Sequence, residues 1–477
     1  VVPDRLQPLL AQSADLAARF ESAGKHLYLV GGVVRDALLD RLADDGDLDF
    51  TTDAAPEEIE RIVSPVADAV WTQGKRFGTI GLLHAGRRME ITTHRAEAYR
   101  PDSRKPEVVF AGAVETDLSR RDFTVNALAL SLPGLRLIDP FAGAADLAAG
   151  RLRTPLDPAE SFGDDPLRML RAARFIAGYG LRPEPELVEA VGALGSRLEI
   201  VSDERVRDEL DKLLVVASPG PGLWFLVQTG LAGEFLPELP ALALEQDPIH
   251  RHKDVLAHTI AVVEKTSPDR LLRLAALFHD VGKPKTRSFG PRGTVSFHHH
   301  EVVGARMTRD RMRALRYANE DIDVVSRLVE LHLRFHTYRM GWTDSAVRRY
   351  VRDAGPLLEQ LNELTRCDCT TRNAGKAAAL ARRMDELEVR IEELRSRESL
   401  AAVRPDLDGV AVMARLGIPA GPDVGAALSF LLELRLEEGP LGEEEAGRRL
   451  DSWWAARQEP EPSGTDERTD AAGEPGA

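Results

Sequence analysis

Cysteine is nearly absent, with two residues in 477, Cys367 and Cys369. They stand too close together for an ordinary disulfide framework and are too few for a zinc ribbon, which fits a reducing compartment. No apolar run approaches the ~20 residues that a membrane helix needs, and no charged-then-apolar leader opens the chain. A cytoplasmic protein without a membrane partner is expected. A P-loop, a dinucleotide fingerprint and a Ser/His/Asp pattern are also missing, which removes three common enzyme classes. Positive charge is in deficit: 62 Lys and Arg against 77 Asp and Glu leave a net charge of −15. Phosphate backbones select basic surfaces, so this balance argues at first against nucleic acid. The charge is uneven, however. The last twenty residues carry six acids and one Arg, whereas Pro166–Phe175 carries three Arg and no acid. Local basic stripes must therefore decide.

At 43% hydrophobic and 29% charged residues the chain is globular, and its length suggests roughly three domains. The expected divisions are an N-terminal helix over 1–25, a β/α head over 26–145, and a helical neck and body over 146–245. A His-rich helical block over 246–375, a helical tail domain over 376–457 and a disordered acidic tail over 458–477 follow. In the head, His26–Val30 reads as a strand broken by Gly31-Gly32, Leu48–Thr51 as a second strand, and Pro56–Ile62 as a helix. Thr79–Leu83 and Arg88–Thr92 read as a hairpin across His84–Gly86. Beyond Leu147 strand signals almost vanish. Leu380, Met384, Leu387, Ile391 and Leu394 recur at alternating steps of four and three, a coiled-coil-like seam under three heptads long. It suits a helix packed on its own body or a dimer seam, so monomer and homodimer both stay open.

The first chemical constellation is Gly31-Gly32-Val-Val-Arg35-Asp36 followed by Asp47-Leu48-Asp49. A double glycine between strand and helix lets backbone amides approach an anion, and Arg35 lies a turn into that helix. Asp47 and Asp49, two apart in a strand, point to one face. Two such carboxylates can hold Mg²⁺ ions that clamp the attacking and leaving oxygens of phosphoryl transfer. Glu90, on a later strand, is a possible third acid without an assigned role.

These motifs resemble the head of the DNA polymerase beta-like nucleotidyltransferases. Arg120-Arg121-Asp122-Phe123-Thr124-Val125-Asn126-Ala127 is similar to the bacterial tRNA branch, the tRNA nucleotidyltransferase and poly(A) polymerase family. Asp139-Pro140-Phe141-x-Gly143, Asp164-Asp165-Pro-Leu-Arg168-x-x-Arg171-x-x-Arg174 and Pro405-Asp-Leu-Asp-Gly409 continue the pattern, most like its actinobacterial CCA-adding form. The family often has Glu where Asp164 stands. The resemblance implies an α/β nucleotidyltransferase head followed by an all-α neck, body, HD domain and tail. It implies template-independent addition of CCA to the 3′ end of tRNA from CTP and ATP, with Mg²⁺ in the head. Asp47 and Asp49 would be catalytic, and Gly31, Gly32, Arg35, Arg121, Asp122, Asp165, Arg168, Arg171 and Arg174 would bind nucleotide. The charged stretch from Thr93 to Pro106 matches a loop that the family needs for the final A.

The residue chemistry agrees. Cytosine and adenine each offer an amino donor next to a ring acceptor, which a carboxylate beside a guanidinium matches. Guanine and uracil present a carbonyl next to an N–H and would leave a buried carboxylate facing an oxygen. One fixed pair, Asp165 and Arg168, can thus select both CTP and ATP.

The second constellation is His258, His279-Asp280, His300, His332 and Asp368. An HD pair directly after the apolar run Leu271–Phe278 resembles the HD phosphohydrolases, in which His and Asp from several helices gather divalent metals. Imidazoles with carboxylates suit Mn²⁺, Ni²⁺ or Co²⁺ better than Mg²⁺. Other readings also stay open: a poly(A) polymerase on the same scaffold, for which Gly74-Lys-Arg-Phe77 speaks; an HD phosphohydrolase with a head that only binds RNA; and a noncatalytic RNA-binding protein.

Overall fold

A computed structural model describes residues 6–42, 46–100, 103–244, 254–290, 294–338, 341–369, 374–398 and 403–458. The expected boundary at 245/246 and most of the acidic tail fall outside them, and the expected boundary at 375/376 falls in the first turn of the helix Ala374–Arg397. The chain divides into two compact units, 1–330 and 331–477.

The first unit opens with the helix Gln7–Ser22 and a mixed sheet of seven strands. The strands of the head are β1 (Leu27–Val30), β2 (Leu48–Thr52), β3 (Ala69–Trp71), β4 (Thr79–His84), β5 (Arg87–Thr93), β6 (Arg95–Arg100), β7 (Ser103–Phe110), β8 (Ala129–Leu132) and β9 (Leu137–Ile138). The sheet runs β3-β4-β5-β2-β1-β8-β9, and β6 and β7 pair separately. The central pair β2–β5 is parallel, with Asp49 opposite Glu90; the other neighbours are antiparallel. Alternation explains what this sheet does. Leu48, Phe50, Met89 and Ile91 are buried at 1% exposure or less, in a core shared with Phe20, Ile59 and Ile80. Asp47, Asp49 and Glu90 are left on the open face.

Helices take over after Ala149. Leu167–Tyr179, with Phe175 and Met169 buried, packs beside Asp203–Leu214 and Gly220–Gln228. Val255–Lys265, Arg270–Phe278, His300–Ala314 and Asn319–Leu331 follow. Contrary to the expected loss of strands, Arg287–Phe289 and Val295–Phe297 form a small antiparallel hairpin. Three-residue strands carry too little alternation to register as a pattern.

The second unit is helical as expected. Met384, Leu387, Ile391 and Leu394 of the helix Ala374–Arg397 are all at most 3% exposed, and that helix packs on Asp344–Ala354 and Leu358–Asp368. The seam therefore closes on its own unit. A further core of Leu407, Val412, Val424, Ala427, Leu431 and Leu450 ties the last three helices together. Among the described residues no helix is long and apolar enough to cross a membrane.

Candidate active site and metal centre

The open face of β2 and β5 forms the floor of a cleft of ≈ 530 Å³, and the helix Leu167–Tyr179 lines its opposite wall. Asp47 ends the loop before β2 and Asp49 lies within it, both outward because Leu48 and Phe50 point in. Glu90 stands beside Asp49 on the neighbouring strand. Desolvation within the cleft pushes the Asp49 carboxyl above its usual range; Arg121 opposes this, and Glu90 and Asp47 add to it. A cation among these three acids would relieve that repulsion, and an all-oxygen donor set suits Mg²⁺. The residues present therefore fit the ion the resemblance implies.

Gly31 contributes space. It sits at φ +76°, and a Cβ there would come within 3.1 Å of Arg121 Nη1, so the glycine lets that guanidinium lie over the strand end. Its amide is turned toward the Leu128 carbonyl at 3.4 Å, which differs from the anion donor expected of it. Gly32 begins the helix Gly32–Leu38. Arg35, expected to reach phosphates, is a tie instead. Its donors go to Asp36 (2.8 Å), Asn126 Oδ1 (2.6 Å) and the Tyr179 hydroxyl, and its guanidinium lies 4.2 Å from the Tyr179 ring. At 6% exposure it joins the head to the helix of the opposite wall.

Asp122 is likewise bound up inside. It accepts from Arg171 Nε (2.8 Å) and Nη2 (2.5 Å), Asn126 Nδ2 (2.9 Å) and the Phe123 amide (2.9 Å). Burial works to raise its pKa, but the Arg171 charge, the hydrogen bonds and Arg168 outweigh it and hold it at about 2. Arg121 stays half-buried at the cleft, 3.2 Å from Asp117. Arg171 and Arg174 also line it; Arg174 donates to the buried Glu209 at 2.7 Å. Three guanidiniums, of Arg35, Arg171 and Arg174, surround the Phe175 ring at 5.0 to 6.0 Å.

The Arg168 amide donates to the Asp165 carbonyl at 3.0 Å, but their side chains turn to other partners. Asp165 follows the helix Pro158–Asp164, and its carboxylate accepts from the Leu167 amide (3.2 Å) and Arg205 Nη2 (3.1 Å). Arg168 donates to Ser161 Oγ (2.8 Å) and the Arg120 carbonyl. A carboxylate has about four lone-pair sites and a guanidinium five donors, so both keep capacity for a base edge. Sequence reasoning missed Arg205 and Glu209, on Asp203–Leu214, because their partners lie 35 to 40 residues away. The same helix carries Asp211, which accepts from the Tyr317 hydroxyl at 2.6 Å and lies 3.4 Å from Arg270.

The second centre lies at helix ends. His258 comes from Val255–Lys265, His279 and Asp280 directly follow Arg270–Phe278, and His300 starts His300–Ala314. One atom each of His258, His279 and Asp280 fall within 4.8 Å of one another. The Nε2 atoms of His258 and His279 are 3.3 Å apart and both near Asp280 Oδ2, and His300 Nε2 is 3.4 Å from Asp280 Oδ1. Nδ1 of His279 meets the Ala276 carbonyl and Nδ1 of His300 meets the Phe297 carbonyl, both at 2.7 Å. A carbonyl only accepts, so each Nδ1 carries a proton and each ring turns its Nε2 inward toward Asp280, the orientation that metal-binding imidazoles take. Burial would raise the Asp280 pKa; the charges of His279 and Lys283 and the bonds from His279 and His300 instead hold it well below the usual range. This donor set fits a divalent transition metal. His332 is buried just after Asn319–Leu331, and half-buried Asp368 ends Leu358–Asp368; both belong to the second unit.

Family models match three stretches: a poly A polymerase head domain over 27–153, a probable RNA and SrmB-binding site of polymerase A over 180–242, and an HD domain over 255–391. An A-adding tRNA nucleotidyltransferase of Deinococcus radiodurans is 36% identical over 354 residues, 72% of this chain and 80% of the relative. A CC-adding tRNA nucleotidyltransferase of Thermus thermophilus is 33% identical over 457 residues, 92% of this chain and 96% of the relative. In fold, the chain matches a CCA-adding enzyme of Bacillus stearothermophilus solved with CTP, at a TM-score of 0.65 and 23% identity, over 94% and 99% of the two chains. With catalytic-type acids on the head's open face, an arginine-lined cleft and relatives alike almost from end to end, the chain belongs to the tRNA nucleotidyltransferase and poly(A) polymerase family.

Proposed function

We propose that this nucleotidyltransferase adds C, C and A in turn to the 3′ end of tRNA, taking CTP and ATP and releasing pyrophosphate, in the cytoplasm. The observation that carries the reading is one cleft holding Asp49 and Glu90 on its floor and Asp165 and Arg168 at its wall. The 3′-hydroxyl oxygen attacks the α-phosphorus; that P–O bond forms as the bond to the β-phosphate bridge breaks. Asp47 and Asp49, with Glu90 beside them, would hold Mg²⁺, which when bound neutralises the triphosphate and lowers the pKa of the attacking hydroxyl. Arg121 meets phosphate from above the strand end. Asp165 accepts the exocyclic amine of C or A, while Arg168 donates to the adjacent ring nitrogen. Arg35, Asp122 and Arg171 keep the wall in register with the floor, and Arg174 is aimed by Glu209.

Two of the relatives divide the work between CC and A addition, and others are named CCA-adding enzymes. Two features favour the whole sequence here: the Asp165–Arg168 pair accepts both bases, and the paired strands β6 and β7 occupy the position of the loop that the resemblance ties to the final A. The head at 26–145, the neck and body at 146–245 and the HD block at 246–375 are assigned on the same reading. The test supplies tRNA lacking its 3′ end with each labelled nucleotide and sizes the products. C, C and A followed by a stop is expected; an unending run of A, or arrest after CC, would sink complete CCA addition.

A second activity is favoured by the convergent Nε2 atoms around Asp280: metal-dependent hydrolysis of phosphomonoesters or 2′,3′-cyclic phosphates. His258, His279, Asp280 and His300 would hold the ion. Hydrolysis with Mn²⁺, Co²⁺ or Ni²⁺ that exceeds hydrolysis with Mg²⁺ checks it; no hydrolysis with any of them removes it.

A further inference from the structure

Beside the histidine cluster, the hairpin carries a surface that neither activity uses. From Val281 to His300 the sequence holds Lys283, Lys285, Arg287 and Arg292 and no Asp or Glu, in a chain of net charge −15. Arg292 lies outside the described residues. In the hairpin Arg287 stands opposite Phe297, and Phe289 opposite Val295. Residues directly opposite, or two apart along a strand, share a face. Arg287, Phe289, Val295 and Phe297 therefore form one face, while Ser288 and Ser296 pair on the other with hydroxyls 2.8 Å apart. Phe289 is 68% exposed, with the Arg287 guanidinium 4.9 Å from its ring. A single exposed Phe is ordinary. Here it ends a row that leads into the cluster: Lys283 Nζ lies 5.7 Å from the Phe297 ring and donates to Asp280 at 2.7 Å.

The geometry points to a docking surface for a single RNA strand, with phosphates along Lys285 and Arg287, a base on Phe289 and the strand's terminal phosphate at the Asp280 cluster. Aromatic platforms beside cations hold single strands with little regard to sequence, because every base has a stacking face and every linkage a charge. An acidic peptide would satisfy the cations and leave the ring in water; a nucleotide satisfies both. The hydrolytic centre thereby takes a polynucleotide end as its substrate, a point that rests on the hydrolytic reading only for where the terminal phosphate sits.

The test uses the full chain and a short unstructured oligouridylate with a 3′-phosphate and one 4-thiouridine. Crosslinks are expected on the segment 286–297. Phe289→Ala should weaken binding by roughly 5- to 150-fold, the range of one stacked base. Lys285→Glu should weaken it and flatten its dependence on log salt by about 0.7, one phosphate contact on a single strand. Both side chains are exposed, so folding should survive, and circular dichroism checks this. Hydrolysis of a small chromogenic phosphomonoester with Mn²⁺ should be unchanged in both variants. Crosslinks confined to other segments, with both variants binding as tightly as the parent, would overturn the docking surface. So would binding to phosphatidylserine vesicles that Phe289→Ala abolishes while RNA affinity stays the same. A parent protein that hydrolyses nothing sinks the hydrolytic reading alone, and the crosslink map still decides the docking surface.

Discussion

The floor of the head cleft and the histidine cluster solve the problem of gathering charge in opposite ways. On the floor, strand alternation sets acids side by side on an accessible face, and Asp49 titrates above its usual range. In the cluster, helix ends bring imidazoles around a carboxylate at 1% exposure, and Asp280 titrates far below it. The difference teaches what each centre lacks. The floor holds more negative charge than it can balance and waits for a hard cation and a triphosphate. The cluster already shields its one acid with Lys283, so a metal there would draw mainly on imidazole nitrogens. On the proposed reading the two metals would be independent, one held by oxygen and one largely by nitrogen.

The largest expected effect strikes the floor. Asp49→Asn should abolish nucleotide addition, by at least several kcal/mol in the barrier, with the fold intact because the side chain faces the cleft. Initial rates and circular dichroism check it; a folded variant at full rate removes the floor as the catalytic centre. Asp47→Asn should behave alike. Next, His279→Ala with Asp280→Ala should strip bound Mn²⁺ or Ni²⁺, seen by calorimetry, and leave CCA addition within about twofold. Joint loss of both activities would break the independence of the two metals.

A smaller effect is expected at the wall. Asp165→Ala should cut the preference for CTP over UTP by roughly 1–3 kcal/mol with little change in triphosphate affinity; an unchanged preference assigns Asp165 to holding Arg205 and the helix start. The smallest concerns pH. Asp122 binds its proton more weakly folded, at about 2, than at its ordinary value of 3.8. Its contribution, about 2 kcal/mol, is therefore full above ~pH 5 and lost as pH falls through 4 toward 2. Unfolding of Asp122→Asn should show less acid sensitivity than the parent in that window, and parallel curves would contradict the charge pairing.

The floor was the most legible part in the sequence, because period-two alternation in Leu48–Phe50 and Met89–Ile91 states directly which acids face out. His279 and Asp280 were legible through their place after an apolar helix. The wall was readable in identity but not in partnership. Arg35 looks like a ligand-binding group from its place in the helix and Asp122 from the resemblance, yet Asn126, Tyr179 and Arg171 engage them, and such pairings across 49 to 144 residues leave no local pattern. The hairpin Arg287–Phe297 escaped because its strands are shorter than the period that reveals a strand.

One helix, Asp203–Leu214, touches both the nucleotide wall through Arg205 and Glu209 and the HD block through Asp211. For the engineer who wants to trade CC for A addition by recombination, this makes it indivisible. A crossover placed inside it would join one parent's base-facing residues to the other's Tyr317 and Arg270 partners. Energies of change at Glu209 and Asp211 should then fail to add, as they do for groups that share one rigid element. A double-mutant cycle of Glu209→Gln with Tyr317→Phe measures that inheritance; additive values would free the helix to be cut.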